Sequence, residues 1–570
     1  MPVPRRAAAP VVSLLAAFAV SSTASGGPAR SQPQEEPIAE HEARLAPRVP
    51  FPKGALRQRP AHEHRLVVKF HDHVGARPAA DGSLISVRGV DVAELATQLA
   101  AATASDRSVR FRRLMTLTEA ELATMLDEAA QRSGRAQPDL GAMMAVDVAD
   151  ADVAAVAAAL HASDLVELVD YEELWPQPPG SLVAGGFDGP DACADTLPRT
   201  PQMAQFQDYL GEDPGMNMAA AWAVPGGDGA GVRIADCEYW FRPEHEDLCD
   251  VVIEPGQQAD PESIARGFHE HGTAVLGQLI GGENAYGVQG IAPAAEAWFF
   301  PEASLSEGYR RVASVTNAIA TMDAGDVVLL EMQARIPPGE FAPAEIYSII
   351  WQIVRVGTDR GVTIVAAAGN GNEDLDSALY DEYRSWGDSG AIIVGAGTSS
   401  TGHHKLSFST YGSRVDVQGW GHNVFTAGYG HFAIVGGDRD QSYTDLFSGT
   451  SSASPFIAGL AASLQGIHKA RTGQPMDPVA LRQLLIDTGR PQGAGGHIGP
   501  FPDAAAAVDA LLASLCEADL DGDGVLTVFD FLAFQNLFDM GDPAADFDGS
   551  GTLDLFDFLA FQNAFDAGCP

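Results

Sequence analysis

Long, uninterrupted apolar runs dominate the chain from Trp222 onward, and helical segments separate them. Strands with one face in water alternate apolar and polar residues, whereas continuously apolar strands are buried on both faces. The pattern therefore predicts an α/β fold with a parallel sheet wrapped by helices, and it places active-site residues at the carboxyl ends of the strands. The strands are predicted over 232–236, 326–332, 362–368 and 391–396.

The preceding part of the chain, residues 61–176, has a different pattern, in which short apolar strands alternate with alanine-rich helices. Apolar segments of this length and order predict a small α+β domain. Strands are expected near 65–70, 142–148 and 165–173, and helices near 92–102, 119–130 and 151–162.

Export of the protein is predicted from its first residues. Arg5 and Arg6 precede a short apolar stretch, Ala7–Val20, and small residues follow through Gly27. Positive charge, a short apolar run and small residues in this order are a signal-peptide pattern, predicted over 1–27. The run is too short for a membrane anchor, which needs about 20 apolar residues. We therefore expect a secreted or cell-surface protein without a membrane span.

Two connectors separate the predicted domains. Residues 28–60 are rich in Pro, Gln, Glu and Arg, which predicts a disordered linker. Residues 177–215 are rich in Pro and Gly and lack periodicity. They are predicted to form a second linker, which offers a site for proteolytic processing.

The stretch Ser448–Gly459 carries the strongest chemical signal in the chain. A Gly-Thr-Ser turn leads into small residues and then into an apolar helical run that opens at Pro455. Ser451 would then lie at a helix N-terminus, where free N–H groups and the helix dipole stabilise an oxyanion beside an attacking oxygen. The simpler interpretation is a serine-capped helix start without a catalytic role.

Three other stretches place an acid, a histidine and an asparagine before Ser451. Glu238 and Asn370 each follow an apolar strand, and His271 begins an apolar helix within a His-Gly-Thr motif. This order of residues resembles the subtilisin-like serine proteases over roughly 220–512. The resemblance implies a subtilisin-like serine endopeptidase with Ser451 as nucleophile, His271 as general base and then acid, and Asn370 as oxyanion donor.

The resemblance also implies roles for whole domains. The peptidase domain would span 216–512 and act on protein or peptide substrates. The α+β domain over 61–176 resembles the propeptide of this family, and the alternative is an ordinary N-terminal domain that stays attached.

The acid of the predicted triad has two candidates. In the family the acid is an Asp about seven residues before a His-x-Asp-Leu segment, and counting back seven residues from His245 reaches Glu238. Asp236 lies two residues earlier, so its side chain points to the same side of the strand. Register favours Glu238 as the acid that orients the histidine, and Asp236 is the alternative.

A second departure from the family is Glu331. Together with Met332 and Gln333 it stands where the family has a Ser-Leu-Gly strand beside the substrate cleft. Glu331 is predicted to be either a charge that selects the substrate or the partner of a buried base.

The C-terminal segment 516–570 contains a repeat, because 519–539 returns as 546–566. Each copy places oxygen side chains and a glycine at the spacing of an EF-hand-like calcium loop. An aspartate at the twelfth position and one helix after each loop resemble a dockerin module, which implies calcium as cofactor and a protein partner. The predicted ligands are Asp519, Asp521, Asp523, the Val525 carbonyl, Thr527 and Asp530, then Asp546, Asp548, Ser550, the Thr552 carbonyl, Asp554 and Asp557.

Charge and cysteine content give two further expectations, one about partners and one about disulfides. The 570 residues include 35 Lys and Arg against 76 Asp and Glu, a net charge of −41, so nucleic acid is not an expected partner. The five cysteines suggest two disulfides and one odd thiol, Cys193, in an exported protein. The suggested pairs are Cys237 with Cys249 and Cys516 with Cys569.

A rival interpretation comes from a different class of function. It treats the peptidase domain as a pseudoprotease scaffold whose calcium-binding tail mediates protein docking. The altered acid favours this rival, whereas the intact Ser451, His271 and Asn370 oppose it.

Overall fold

The computed structural model of the chain describes most of the residues that follow position 44. The chain divides into two compact units, 1–45 and 46–570, and the second contains every domain described. The predicted signal peptide, the predicted ligand Asp523 and three of the cysteines, Cys193, Cys249 and Cys569, lie outside the described residues. Those residues are 45–56, 59, 64–104, 108–174, 197–248, 250–282, 284–516, 518–521 and 525–568.

The N-terminal domain contains six strands and three helices among the described residues. The strands are β1 His64–Phe70, β2 Ala76–Pro78, β3 Leu84–Ser86, β4 Arg110–Arg113, β5 Met143–Asp147 and β6 Val166–Glu173. The helices are α1 Ala93–Ala102, α2 Glu119–Ser133 and α3 Val153–Ala162. Four strands form an antiparallel sheet in the order β4-β5-β1-β6, and β2 pairs with β3. The α+β pattern expected from the sequence is therefore present, with β4 and the β2–β3 pair added.

Both faces of this antiparallel sheet are buried, against different partners. Val68 of β1 lies in a core with Leu99 of α1 and Val156 of α3. Its neighbour Val67 points to the opposite face, as successive residues of a strand do. Val67 lies in a core shared with Ile319 of the next domain. The two domains are therefore joined by a continuous apolar contact.

The second domain is built on a seven-stranded sheet. Its strands are β7 Arg233–Glu238, β8 Val252–Ile253, β9 Glu296–Pro301, β12 Val327–Leu330, β15 Thr363–Ala367, β16 Ile392–Gly397 and β17 Val417–Trp420. They lie in the order β17-β16-β15-β12-β7-β9-β8. Every neighbouring pair is parallel, which confirms the predicted parallel sheet.

Shorter strands pair around the rim of this sheet. They are β10 Ala303–Ser304 with β11 Gly308–Tyr309, β13 Gln333–Arg335 with β14 Phe341–Pro343, and the set β18 Val424–Ala427, β19 Ala433–Ile434 and β20 Ser442–Phe447. The helices of the domain are α4 Met218–Trp222, α5 Pro261–Ala265, α6 His269–Ile280, α7 Arg311–Thr321, α8 Ser348–Asp359, α9 Asp381–Ser385, α10 Thr450–Thr472, α11 Pro478–Thr488 and α12 Ala504–Ser514.

Helix α10 is the central helix of the domain. It packs on five strands of the parallel sheet and is buried from Thr450 to Ile467. It begins at Thr450, so Ser451 lies at the helix N-terminus as predicted, and the helix starts before Pro455. The backbone N–H of Thr450 donates to the side chain of Asn370, 80 residues earlier, and this distant cap is invisible to local patterns.

Both predicted linkers contain described residues that pack on the folded domains. Residues 46–56 contact both domains: Arg48 pairs with the buried Glu167 of the N-terminal domain, and Phe51 stacks on Trp386 of the second domain with ring centroids 5.1 Å apart. In the second linker Tyr209 is completely buried in the main core. Polar, proline-rich segments can thus contribute single side chains that anchor them to the folded domains.

The C-terminal module consists of two acidic loops, each followed by a helix, α13 Val528–Met540 and α14 Leu555–Ala567. Phe534 of α13 and Phe561 of α14 stack with ring centroids 4.5 Å apart and form the centre of a separate small core. Phe529 and Phe556 remain mostly exposed, at 61% and 64%. The two helices thus bury only part of their apolar surface against each other.

The cysteines differ from the suggested pairing. Cys237 is a free thiol buried in β7, so the suggested Cys237–Cys249 disulfide is wrong, because the strand directs this side chain into the core. Cys516 is disulfide-bonded, and its partner lies outside the described residues. No helix among the described residues combines the length and apolar character that crossing a membrane requires.

Candidate active site

The candidate catalytic residues meet at the carboxyl ends of three adjacent parallel strands. Glu238 is the last residue of β7, Glu331 directly follows β12, and Asn370 lies three residues after β15. Because all three strands run in the same direction, their ends share one edge of the sheet. This edge is where the strand pattern predicted functional side chains.

Glu238 and His271 form a buried hydrogen-bonded pair. Nδ1 of His271 donates to Oε2 of Glu238 over 2.8 Å, and the two residues are 3% and 1% exposed. Gly272 makes this approach possible, since a Cβ there would lie 2.7 Å from Oε1 of Glu238 and 2.4 Å from the Trp240 carbonyl oxygen. The His-Gly-Thr motif therefore needs a glycine at this position, because a larger side chain would collide with Glu238 and the Trp240 backbone.

Asp236, the alternative acid, does not pair with His271. Its carboxyl group is fully buried, and neither oxygen has a hydrogen-bond partner among the described residues. Burial raises the pKa of Asp236, and the charge of Glu238 raises it further. The structure thus brings Glu238 to His271 and leaves Asp236 as an isolated buried acid.

Burial sets the protonation tendencies of the pair. It raises the pKa of Glu238, and the neighbouring carboxylate of Glu302 adds to that rise. It lowers the pKa of His271, while Glu331 acts in the opposite direction. A histidine with a lowered pKa is neutral near pH 7 and can accept a proton, as a general base must.

Asn370 is fixed against the start of helix α10. Its Oδ1 accepts hydrogen bonds from the backbone N–H and the hydroxyl of Thr450, at 2.8 and 3.2 Å. These donors identify the oxygen, so the other side-chain atom is the amide nitrogen Nδ2. Nδ2 is buried and has no acceptor among the described residues, and it therefore has protons to donate.

Ser451 is the second residue of α10, next to the residue that Asn370 binds. Its backbone N–H belongs to the first helical turn, where no intrahelical acceptor is available. Helix α10 packs against α6, which carries His271. Nε2 of His271 is buried without a hydrogen-bond partner among the described residues, so the Ser451 hydroxyl is not bonded to it in this structure.

Some residues of the site carried little signal in the sequence. Gln333 accepts a hydrogen bond from the backbone N–H of Asn370 over 3.0 Å, and it was noticed only as a departure from the family pattern. Glu302 pairs with the fully buried Arg311 and accepts from Tyr309, and no motif marked it. The position of Glu302, directly after the apolar end of β9, is the sequence feature that could have indicated it.

In the C-terminal module, each acidic loop gathers three carboxylates. Ligand oxygens of Asp519, Asp521 and Asp530 lie within 4.8 Å of one another, and the same holds for Asp546, Asp548 and Asp557. Thr527 and Asp554 cap the helices that follow, and the Ser550 hydroxyl lies 3.2 Å from the Thr552 carbonyl oxygen. Clustered hard oxygen donors fit the coordination preference of calcium.

The sequence model of the subtilase family matches residues 144–500, which is more than half of the chain. The chain belongs to the subtilase family. The subtilisin-like α/β fold expected from the resemblance is thereby confirmed for the parallel sheet and its helices.

Individual subtilase relatives share part of the chain. A probable subtilase-type serine protease of Deinococcus radiodurans is 26% identical over 237 residues, which span 40% of this chain and 29% of that protein. M-protease of Shouchella clausii is 28% identical over 238 residues, 41% of this chain and 54% of its own length. The structure of proteases from Pseudoalteromonas arctica is 21% identical, covers 55% of this chain and 99% of that chain, and gives a TM-score of 0.40.

The two buried acids should differ in their effect on catalysis. Glu238→Gln should lower kcat/KM by about 10⁴-fold, because the amide cannot stabilise the imidazolium that forms when His271 takes a proton. Asp236→Asn should lose less than about tenfold, since burial already favours an uncharged side chain there. Parallel kcat/KM measurements on the two variants test this, and the reverse order would assign the orienting acid to Asp236.

Replacement of the oxyanion donor should slow turnover without stopping it. Asn370→Ala removes Nδ2 but leaves Ser451 and His271 in place, so kcat should fall by about 10²–10³-fold. KM should change little, because the lost contact acts mainly on the transition state. A variant with wild-type kcat would show that Asn370 does not contact the oxyanion.

Proposed function

We propose that this protein is a serine endopeptidase that hydrolyses peptide bonds through an acyl-enzyme on Ser451. Membership of the subtilase family and relatives named as serine proteases support a serine-type endopeptidase. The observation that carries the proposal is the buried 2.8 Å contact between His271 and Glu238 at the strand ends beside helix α10. Such a pair is the general-base half of a serine triad.

In the proposed mechanism His271 moves the protons. With Nδ1–H donated to the Glu238 carboxylate, Nε2 is unprotonated and takes the proton of the Ser451 hydroxyl as its oxygen attacks the carbonyl carbon. The imidazolium then gives this proton to the leaving amine as the C–N bond breaks. Water repeats the sequence on the ester, which releases the acid and restores Ser451.

Charge that develops on the carbonyl oxygen is stabilised by two donors. Nδ2 of Asn370 and the backbone N–H of Ser451 lie at the N-terminus of α10, where the helix dipole also favours negative charge. Nδ2 of Asn370 has no hydrogen-bond partner among the described residues, so it need not break an existing bond to bind the oxyanion.

The pseudoprotease alternative is not favoured. Its main support was the altered acid, but the Glu238 side chain reaches His271 at normal hydrogen-bond distance. The extra methylene of glutamate therefore compensates for its position at the end of β7.

The N-terminal domain is proposed to be a propeptide of a secreted enzyme, with processing in the connector after β6. Its contacts with helix α8 support a role in the folding of the peptidase domain. Asp170 accepts hydrogen bonds from the backbone and hydroxyl of Ser348 at the N-terminus of α8, and Arg135 pairs with Asp359 at the other end. Each charge matches the helix dipole where it binds.

The C-terminal module is proposed to bind two calcium ions and to dock onto a partner protein. The two carboxylate clusters are the observation that supports calcium, because three acids so close together repel one another unless a cation neutralises them. Exposed apolar residues of α13 and α14 support a docking role.

Catalysis should depend on the serine and the histidine together. Ser451→Ala and His271→Ala should each abolish hydrolysis of fluorescently labelled casein by the processed protein, because the nucleophile or its base is lost. Thr472→Ala, at the far end of the same helix, serves as the matched control and should remain active. Turnover by Ser451→Ala close to the wild-type level would refute the mechanism.

The C-terminal module should fold only with calcium. Excised residues 516–570 should gain helical circular dichroism on addition of calcium chloride and lose it with chelator, because each cluster must be neutralised before its loop closes. Asp519→Ala combined with Asp546→Ala should prevent the change. After processing, the protein that carries both substitutions should keep casein hydrolysis. A module that stays helical in chelator would contradict the proposal.

A further inference from the structure

Glu331 lies beside the residue that holds the catalytic histidine. Leu330 of β12 pairs in register with Cys237 of β7, and the backbone N–H of Glu331 continues the ladder by donating to the Cys237 carbonyl over 3.2 Å. The next residues along the two strands, Glu331 and Glu238, are therefore neighbours at a strand spacing of about 4.8 Å.

Glu331 also contacts the helix that carries the nucleophile. Its Oε1 accepts a hydrogen bond of 2.5 Å from the hydroxyl of Ser454, which lies three residues after Ser451 in α10. The same hydroxyl is 2.8 Å from the carbonyl oxygen of Thr450. The carboxyl group thus links the end of β12 to the first turns of α10.

Glu331 is closed off from solvent. The residue is 4% exposed, and its second oxygen, Oε2, is buried without a hydrogen-bond partner among the described residues. Of the two roles predicted from the sequence, a substrate-selecting charge requires an open side chain, so the burial favours a partner for a buried base.

His271 and Glu331 influence each other directly. Burial lowers the pKa of His271, and the carboxylate of Glu331 raises it in part. Burial raises the pKa of Glu331, and the histidine and the Ser454 hydrogen bond lower it in part. Asp236 and Glu238 of β7 also raise the pKa of Glu331. Glu302 after β9 raises the pKa of Glu238 in turn. Besides burial, Glu238 raises the pKa of Tyr239 and, together with Glu270 of α6, that of Tyr429 after β18.

We propose that Glu331 is a positioning residue of the hydrolase, which stabilises the protonated form of His271 and anchors the first turns of the helix that carries Ser451. This inference rests on the proposed function. His271 becomes an imidazolium each time it takes the proton of Ser451, in a site where water cannot solvate the charge. Glu238 stabilises that charge through Nδ1, and Glu331 supplies a second carboxylate from the adjacent strand.

The test measures the pH dependence of active-site labelling in the processed protein, which keeps the C-terminal module. A fluorophosphonate probe reacts with Ser451 only when His271 is unprotonated, so the midpoint of the acid limb of the labelling rate reports the pKa of His271. Glu331→Gln keeps the shape and an oxygen that accepts from Ser454, but it removes the charge. The Glu331 carboxylate raises the pKa of His271, so its replacement by an amide should move the midpoint to lower pH by about one unit.

Two further variants separate charge from packing. Glu331→Asp retains a carboxylate and should return the midpoint most of the way to that of the wild type. Gln333→Gly releases Asn370 and should slow labelling at every pH while the midpoint stays at the wild-type value. A purely structural role of Glu331 would instead give Gln and Asp variants with the same midpoint.

An unshifted midpoint in Glu331→Gln overturns the inference while the proposed function stands. If thermal unfolding shows that this variant does not fold, Glu331→Ser, which also lacks the charge, is measured in its place with the same expectation. Wild-type protein that the probe does not label, at any pH, would refute the proposed function itself.

Discussion

The structure of the site depends on one buried contact, between the carboxylate of Glu238 and the imidazole of His271. Two ionisable groups withdrawn from water are stable only when each satisfies the other, and removal of one partner leaves an uncompensated polar group. The end of β7, the start of α6 and the glycine after the histidine all serve this contact. Phe447 closes the remaining side, with its ring centroid 5.5 Å from that of His271.

Much of this arrangement followed from the sequence because it depends on local rules. Continuously apolar strands predicted a buried parallel sheet, and parallel strands of one sheet end at one edge. Glu238 and Asn370 were located at that edge for this reason. The choice between Glu238 and Asp236 was less certain, because residues two apart on a strand share a face, and only the three-dimensional position of His271 distinguishes them.

The remaining features depend on contacts between distant parts of the chain. The start of α10 is set by Asn370, and the anchoring of α10 by Glu331 joins residues 123 positions apart. The order of residues 46–56 comes from single side chains, such as Phe51, which find partners in the second domain. Hydrophobic periodicity carries no information about such pairs, so only the folded structure reveals them.

The central claim is that Ser451 is the one activated serine of a working triad, and probe labelling followed by peptide mapping tests it most directly. The account predicts that a fluorophosphonate adds once per chain, on the peptide that contains Ser451. At a pH where His271 is protonated the probe should not add to Ser451, and raising the pH should restore the addition. An adduct on another serine, or none on correctly folded protein, would contradict the account.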